Sequence, residues 1–99
     1  MTEGRPNVAR RRVRIVNTYG LHMRPSTKFV KLANRFASQV TVDRGGVRAN
    51  GKSILDMTGL AAECGSDLDL EAVGPDAEEA LDALAELVAA GFHMEEEGA

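Results

Sequence analysis

Gly20-Leu21-His22-Met23-Arg24-Pro25-Ser26-Thr27 is the stretch from which the rest of the chain can be read. A turn glycine, a histidine, an arginine two residues on and a proline stand directly before a long apolar-periodic segment. Proline is tolerated in the first helical turn, where its missing N–H costs no intrahelical bond, and it breaks a helix further in. The pattern predicts a helix from about Met23, with His22 near its N-cap. First-turn amides lack intrahelical acceptors and carry the positive end of the helix macrodipole. An anion there meets aimed donors as well as the Arg24 guanidinium. A neutral imidazole is a competent nucleophile, and a helix N-terminus disfavours the imidazolium. These residues suit a histidine that carries a phosphoryl group. The competing reading is a capping or surface histidine with no chemistry.

Downstream of this stretch, Phe29, Leu32, Ala33 and Phe36 recur at helical offsets, so the helix should run to about Ala37. The stripe reads as core packing rather than as a stacking surface for bases, with Lys28, Lys31 and Arg35 on another side. Val40 and Val42, then Val47 and Ala49, mark two short strands joined at Arg44-Gly45-Gly46, an antiparallel hairpin. Ser53 with Asp56 fits the capping pattern of a short helix. Leu68, Leu70 and Ala72 alternate with Asp67, Asp69 and Glu71 as a last strand, which ends at Gly74-Pro75. Asp76 and Glu79 form a second capping pair, opening a helix to about Ala90 with Gly91 as its stop.

The flanks and the composition bound the rest. Residues 1–10 have no periodicity and read as a flexible leader, residues 11–92 as a single domain, and residues 93–99 as a flexible acidic tail that includes a solvated His93. Upstream of the site, Val13 and Ile15 alternate with arginines as a half-buried first strand. At 99 residues and a net charge of −3, the chain argues against a nucleic-acid binder, which advertises a basic excess. No apolar run has the length of a membrane span and no secretory signal is present, so a cytoplasmic location is expected. Cys64 is the only cysteine. It excludes an internal disulfide and a cysteine cluster for metal, and reads as a small buried or half-buried residue. No cofactor or metal is expected.

With these residues in view, a resemblance becomes specific. Tyr19-Gly20-Leu21-His22-Met23-Arg24-Pro25-Ser26 resembles the active-site signature of HPr, the histidine-containing phosphocarrier family of the bacterial phosphoenolpyruvate-dependent phosphotransferase system. Asn50-Gly51-Lys52-Ser53-Ile54-Leu55 resembles the family's regulatory serine site, and the likeness covers roughly residues 12–90. The order of elements suggests an α+β open-faced two-layer sandwich, β-α-β-β-α-β-α, with a four-stranded antiparallel sheet and three helices on one face. The resemblance implies that the first and last strands are neighbours, so that the arginines of one face the carboxylates of the other.

For function, the resemblance implies that His22 Nδ1 accepts a phosphoryl group from phospho-Enzyme I and passes it to Enzyme IIA domains. Arg24 then stabilises the phosphate, and Asn17, Gly20 and Pro25 support the site, with Asn17 helping to orient the histidine. Ser53 matches the serine modified by HPr kinase/phosphorylase. The chain is then a monomeric carrier dependent on partner enzymes rather than an enzyme itself. Leu55 and Met23 fall on the family's docking face. Two residues depart from the family: Asp56 stands where a small residue is usual, and Thr58 replaces an apolar one. A nitrogen-branch phosphocarrier and a phospho-dependent regulatory docking module without a transport role are the alternatives.

Overall fold

The computed structural model describes residues 7–94. In chain order the elements are β1 (Asn7–Arg14), α1 (Met23–Ala33), β2 (Gln39–Arg44), β3 (Val47–Asn50), α2 (Ile54–Gly59), β4 (Asp67–Gly74) and α3 (Ala77–Ala89), followed by a 3₁₀ turn at Gly91–His93. The strands form a four-stranded antiparallel sheet in the order β1-β4-β2-β3. The first and last strands are therefore neighbours. Leu68, Leu70 and Ala72 of β4, Val40 and Val42 of β2 and Ala49 of β3 are buried, which places the apolar half of each alternation on one sheet face. Phe29, Val30 and Ala33 of α1, Met57 of α2, and Leu81, Leu84 and Val88 of α3 complete the core over that face. Gly45 and Gly46, with φ of 57° and 94°, make the two-residue hairpin turn that only left-handed backbone closes with the right strand twist.

The opposite sheet face is a ladder of charges. Arg10, Arg12 and Arg14 stand opposite Glu71, Asp69 and Asp67 in the β1–β4 register. Arg12 and Arg14 each direct two nitrogens at the two oxygens of their partner, at 2.9 and 3.2 Å and at 3.0 and 3.4 Å. Exposed pairs of this kind add little stability each. Their geometric effect is larger: sliding β1 by one residue would set arginines against the apolar positions of β4. Arg11 lies on the helix side of the strand and reaches α3 instead, pairing with Asp82 at 2.7 Å.

Several expectations need correcting. The strand begins at Asn7, inside the segment read as a leader, because β4 extends to Gly74 and its edge takes up Asn7–Arg10; the remainder of the leader lies outside the described residues. Helix α1 ends at Ala33 rather than Ala37. Asn34 caps it, its side chain donating to Val30 O at 2.9 Å, and the next residues must leave the helix so that Ala37 and Ser38 can reach Asp76. Phe36 is accordingly half-buried and outside the core cluster. Asp76 stands at the N-cap of α3 but does not cap it. Its carboxylate accepts the N–H groups of Ala37 and Ser38, each at 2.9 Å, and the Ser38 hydroxyl at 2.6 Å. Those donors tie α3 to the α1–β2 connection. Cys64 is exposed in the turn closed by Ser66 N–H to Glu63 O. His93 belongs to the 3₁₀ turn, and Met94 packs against the core, so folded chain continues past the expected boundary at residue 92. Residues 95–99 of the acidic tail lie outside the described residues.

Three carboxyls titrate below their ordinary value of 3.8: Asp67 and Asp69 through hydrogen bonds from Arg14 and Arg12, and Asp76 through the Ser38 hydroxyl followed by the Ala37 N–H. Each binds its proton more weakly folded than unfolded. The stabilisation is therefore complete above the ordinary carboxylate value and is withdrawn as pH falls through the lower folded values. Thermal unfolding followed by circular dichroism should give a level midpoint from neutrality to about pH 5 and a falling one below about pH 4. Asp76→Asn should lower the neutral midpoint and shallow the acid fall; an unchanged acid limb would show that Asp76 does not contribute to it.

Candidate functional site

His22 is the N-cap of α1, with extended backbone (φ −81°, ψ −170°) and no side-chain cap bond. Its carbonyl accepts the first helical hydrogen bond, from Ser26 N–H at 3.1 Å. The amides of Met23 and Arg24 precede that bond and have no acceptor within the helix, while Pro25, the third helical residue, supplies no N–H. There is no acidic residue in the first turn. The exposed imidazole thus stands where the helix dipole and two backbone N–H groups favour negative charge. Arg24 lines the surface on both sides of His22, and Thr27, Lys28 and Lys31 continue that surface along α1.

The approach to the histidine is set by close backbone contact. Gly20 has φ +70°, and a Cβ there would lie 2.2 Å from Ala62 O and 2.8 Å from Glu63 Cα. Leu21 N–H donates to the same Ala62 oxygen at 2.8 Å. Asn17 closes the turn, its Nδ2 donating to Gly20 O at 2.9 Å. Its Oδ1 is buried with no hydrogen-bond partner among the described residues. Beneath the histidine, the buried Ser26 hydroxyl donates to Leu21 O at 3.3 Å. Residue type alone marks neither Ser26 nor Ala62 as a support, because a serine and an alanine take that part only when another loop is packed against them.

A hollow of about 550 Å³ opens beside His22, walled by Val16, Tyr19 and Arg24 on one side and by Ala90, Gly91 and Met94 on the other. The end of α3 and the turn after it therefore border the site. The buried Phe92 holds that turn in place, and its carbonyl accepts Lys28 Nζ at 2.8 Å.

Ser53 is the N-cap of α2, its Oγ accepting Asp56 N–H at 3.1 Å as the capping pattern predicts. The reciprocal half differs: Asp56 Oδ2 accepts the N–H of Asn50, not of Ser53, at 2.9 Å. Leu55 is 81% and Met23 61% exposed, leaving apolar surface on α2 and at the start of α1. Among the described residues no helix is long and apolar enough to cross a membrane, and no group of three or more His, Cys, Asp or Glu is placed to hold a metal ion.

An exposed histidine at a helix N-terminus, with Arg24 lining the same surface of an open-faced α+β sandwich, is an arrangement suited to a small phosphoryl carrier. Residues 9–90 match the PTS-HPr family, described as the PTS HPr component phosphorylation site. The phosphocarrier protein HPr of Cupriavidus necator is 47% identical over 78 residues, 79% of this chain and 88% of that protein. The phosphocarrier protein NPr of Proteus mirabilis is 45% identical over 83 residues, 83% of this chain and 92% of that one. The crystal structure of HPr-C-His from Thermoanaerobacter tengcongensis aligns with a TM-score of 0.82 at 37% identity, covering 85% of this chain and 94% of that chain. The chain belongs to the HPr family, the phosphocarriers of the phosphotransferase system.

Gly20→Ala tests the loop contact. With a positive φ and a Cβ overlapping Ala62 O, the variant should lose on the order of 1–3 kcal/mol in urea denaturation. The amide resonances of Leu21, His22 and Ala62 should shift together. A variant of unchanged stability and spectrum would show that the two loops separate freely.

Proposed function

We propose that His22 Nδ1 is the phosphoryl-accepting atom, taking the group from phospho-Enzyme I and passing it to Enzyme IIA domains in the cytoplasm. The observation that carries this reading is the position of His22 at the N-cap of α1, beside Arg24 and with no acid in the first turn. In the step, the Nδ1 lone pair forms the new N–P bond. The bond from phosphorus to the donor breaks, and its electron pair leaves with the donor. Such transfer needs alignment and neutralised oxygens more than covalent machinery. The amides of Met23 and Arg24 and the Arg24 guanidinium supply them here, with Gly20, Asn17 and Pro25 fixing where the ring stands. The protein returns to its starting state only through a second partner, so it is a carrier rather than a catalyst. Incubation with phosphoenolpyruvate and Enzyme I should place one acid-labile phosphate on the wild type and none on His22→Ala. Arg24→Ala should slow the transfer roughly 10²-fold. Label retained by His22→Ala would sink the assignment.

Regulation at Ser53 rests on its family-like surroundings and its half-buried N-cap position. A phosphate there would lie at a helix start, where it is tolerated, but also near the Asp56 carboxylate, which opposes it. HPr kinase/phosphorylase with ATP should add acid-stable phosphate to the wild type, none to Ser53→Ala, and more rapidly to Asp56→Gly. Ser53→Ala alone should cost about 1 kcal/mol of stability. Failure to label both the wild type and Asp56→Gly would remove the serine input. The nitrogen-branch reading draws support from the 45% identity to NPr, and Enzyme I of each branch, compared as donor, separates the two.

A further inference from the structure

Tyr19 is the chain's only tyrosine and is 81% exposed, so its ring adds nothing to the core. It meets the His22 ring at a centroid distance of 6.2 Å and an interplanar angle of 79°, the edge-to-face arrangement that aromatic quadrupoles favour. Neither anchor is free to drift. On one side the turn is closed twice, by Gly20 N–H to Asn17 O at 3.2 Å and by Asn17 Nδ2 to Gly20 O at 2.9 Å. On the other, the His22 carbonyl is held in the first bond of α1. The ring pair is therefore a contact between two aromatic side chains, each with two rotatable torsions, on fixed backbone.

An exposed imidazole without such a neighbour changes rotamer in picoseconds to nanoseconds. Attack requires the Nδ1 lone pair to be aligned with the incoming phosphorus, so only part of the imidazole's rotamer range is productive. We infer that Tyr19 is a positioning residue for phosphoryl transfer: by stacking edge-on against His22 it narrows the imidazole's rotamers to those aligned for attack. The reading rests on His22 as the acceptor and adds to it a residue outside the reacting atoms. Aromatic pairs of this geometry shift a two-state population by about 2- to 12-fold. Alignment of the attacking atom enters the transfer rate directly.

The test compares the wild type with Tyr19→Phe and Tyr19→Ala in the full chain. In the unmodified proteins, NMR couplings and inter-ring contacts report the rotamers of His22. The wild type and Tyr19→Phe should each show one dominant rotamer, and Tyr19→Ala should show averaging. In single-turnover transfer from phospho-Enzyme I, with the donor's affinity measured separately, Tyr19→Ala should be slower by about 2- to 12-fold at unchanged affinity. Tyr19→Phe should stay within about 2-fold of wild type, since it keeps the ring. Equal rates in all three proteins would overturn the inference, as would a Tyr19→Phe variant as slow as Tyr19→Ala or a loss confined to affinity. A wild type that takes no label would instead remove His22 as the acceptor, and the positioning role with it.

Discussion

The contact between the loop before α1 and the segment Leu60–Ala62 is the constraint on which the site depends. Ala62 O takes the Leu21 N–H and leaves no room for a side chain at residue 20. The segment that offers this oxygen is itself held. The Leu60 and Ala62 side chains are buried, and Leu60 O accepts Arg44 Nε at 2.7 Å. Between them Ala61 has φ 51°, a conformation that costs a non-glycine residue on the order of 1–3 kcal/mol. It persists because both neighbours are fixed. Held at this point, the chain enters α1 with His22 as the last extended residue, and the ring emerges exposed at the helix mouth with the Tyr19 ring edge-on to it.

Much of this was legible in the sequence because it follows from local rules. Pro25 marks the start of α1, Ser53 the cap of α2, and the alternation around Leu68, Leu70 and Ala72 a strand with one apolar face. What escaped depends on distant residues meeting. Asp76 carries the signature of a helix cap, yet Ser38 and Ala37 present better-placed donors from the far side of the sheet connection. The residues after Ala33 keep an apolar period through Phe36, but the same attachment draws the chain out of the helix. Cys64 has the chemistry of a core residue and sits in an exposed turn. At the site, His22, Arg24 and Gly20 could be named from their types and spacing. The supports beneath and beside them, Ser26, Ala62 and Met94, could not, since none has a side chain that advertises the task.

Charge is distributed unevenly on this framework. On the outer sheet face the arginines of β1 and the carboxylates of β4 cancel over short distances, so little of their field reaches beyond a Debye length. Along α1 the residues near His22 are basic, namely Arg24, Lys28 and Lys31. The chain as a whole carries a net charge of −3, so these basic residues are a local departure from its overall balance. Basic side chains beside an anion site favour encounter with acidic surfaces, an effect that weakens with salt.

Phe92 gives the molecule a front and a back for attachment. Buried with φ 60°, it folds the chain after α3 onto α1, so that Met94 reaches the rim of the hollow beside His22. Asn7, by contrast, begins β1 at the end opposite Arg14, roughly 23 Å along an eight-residue strand from the approach to the active loop. A domain, surface or dye joined ahead of β1 leaves the histidine open to large partners. The same addition joined after Met94 starts at the doorway, and there the linker's length decides whether a partner can enter.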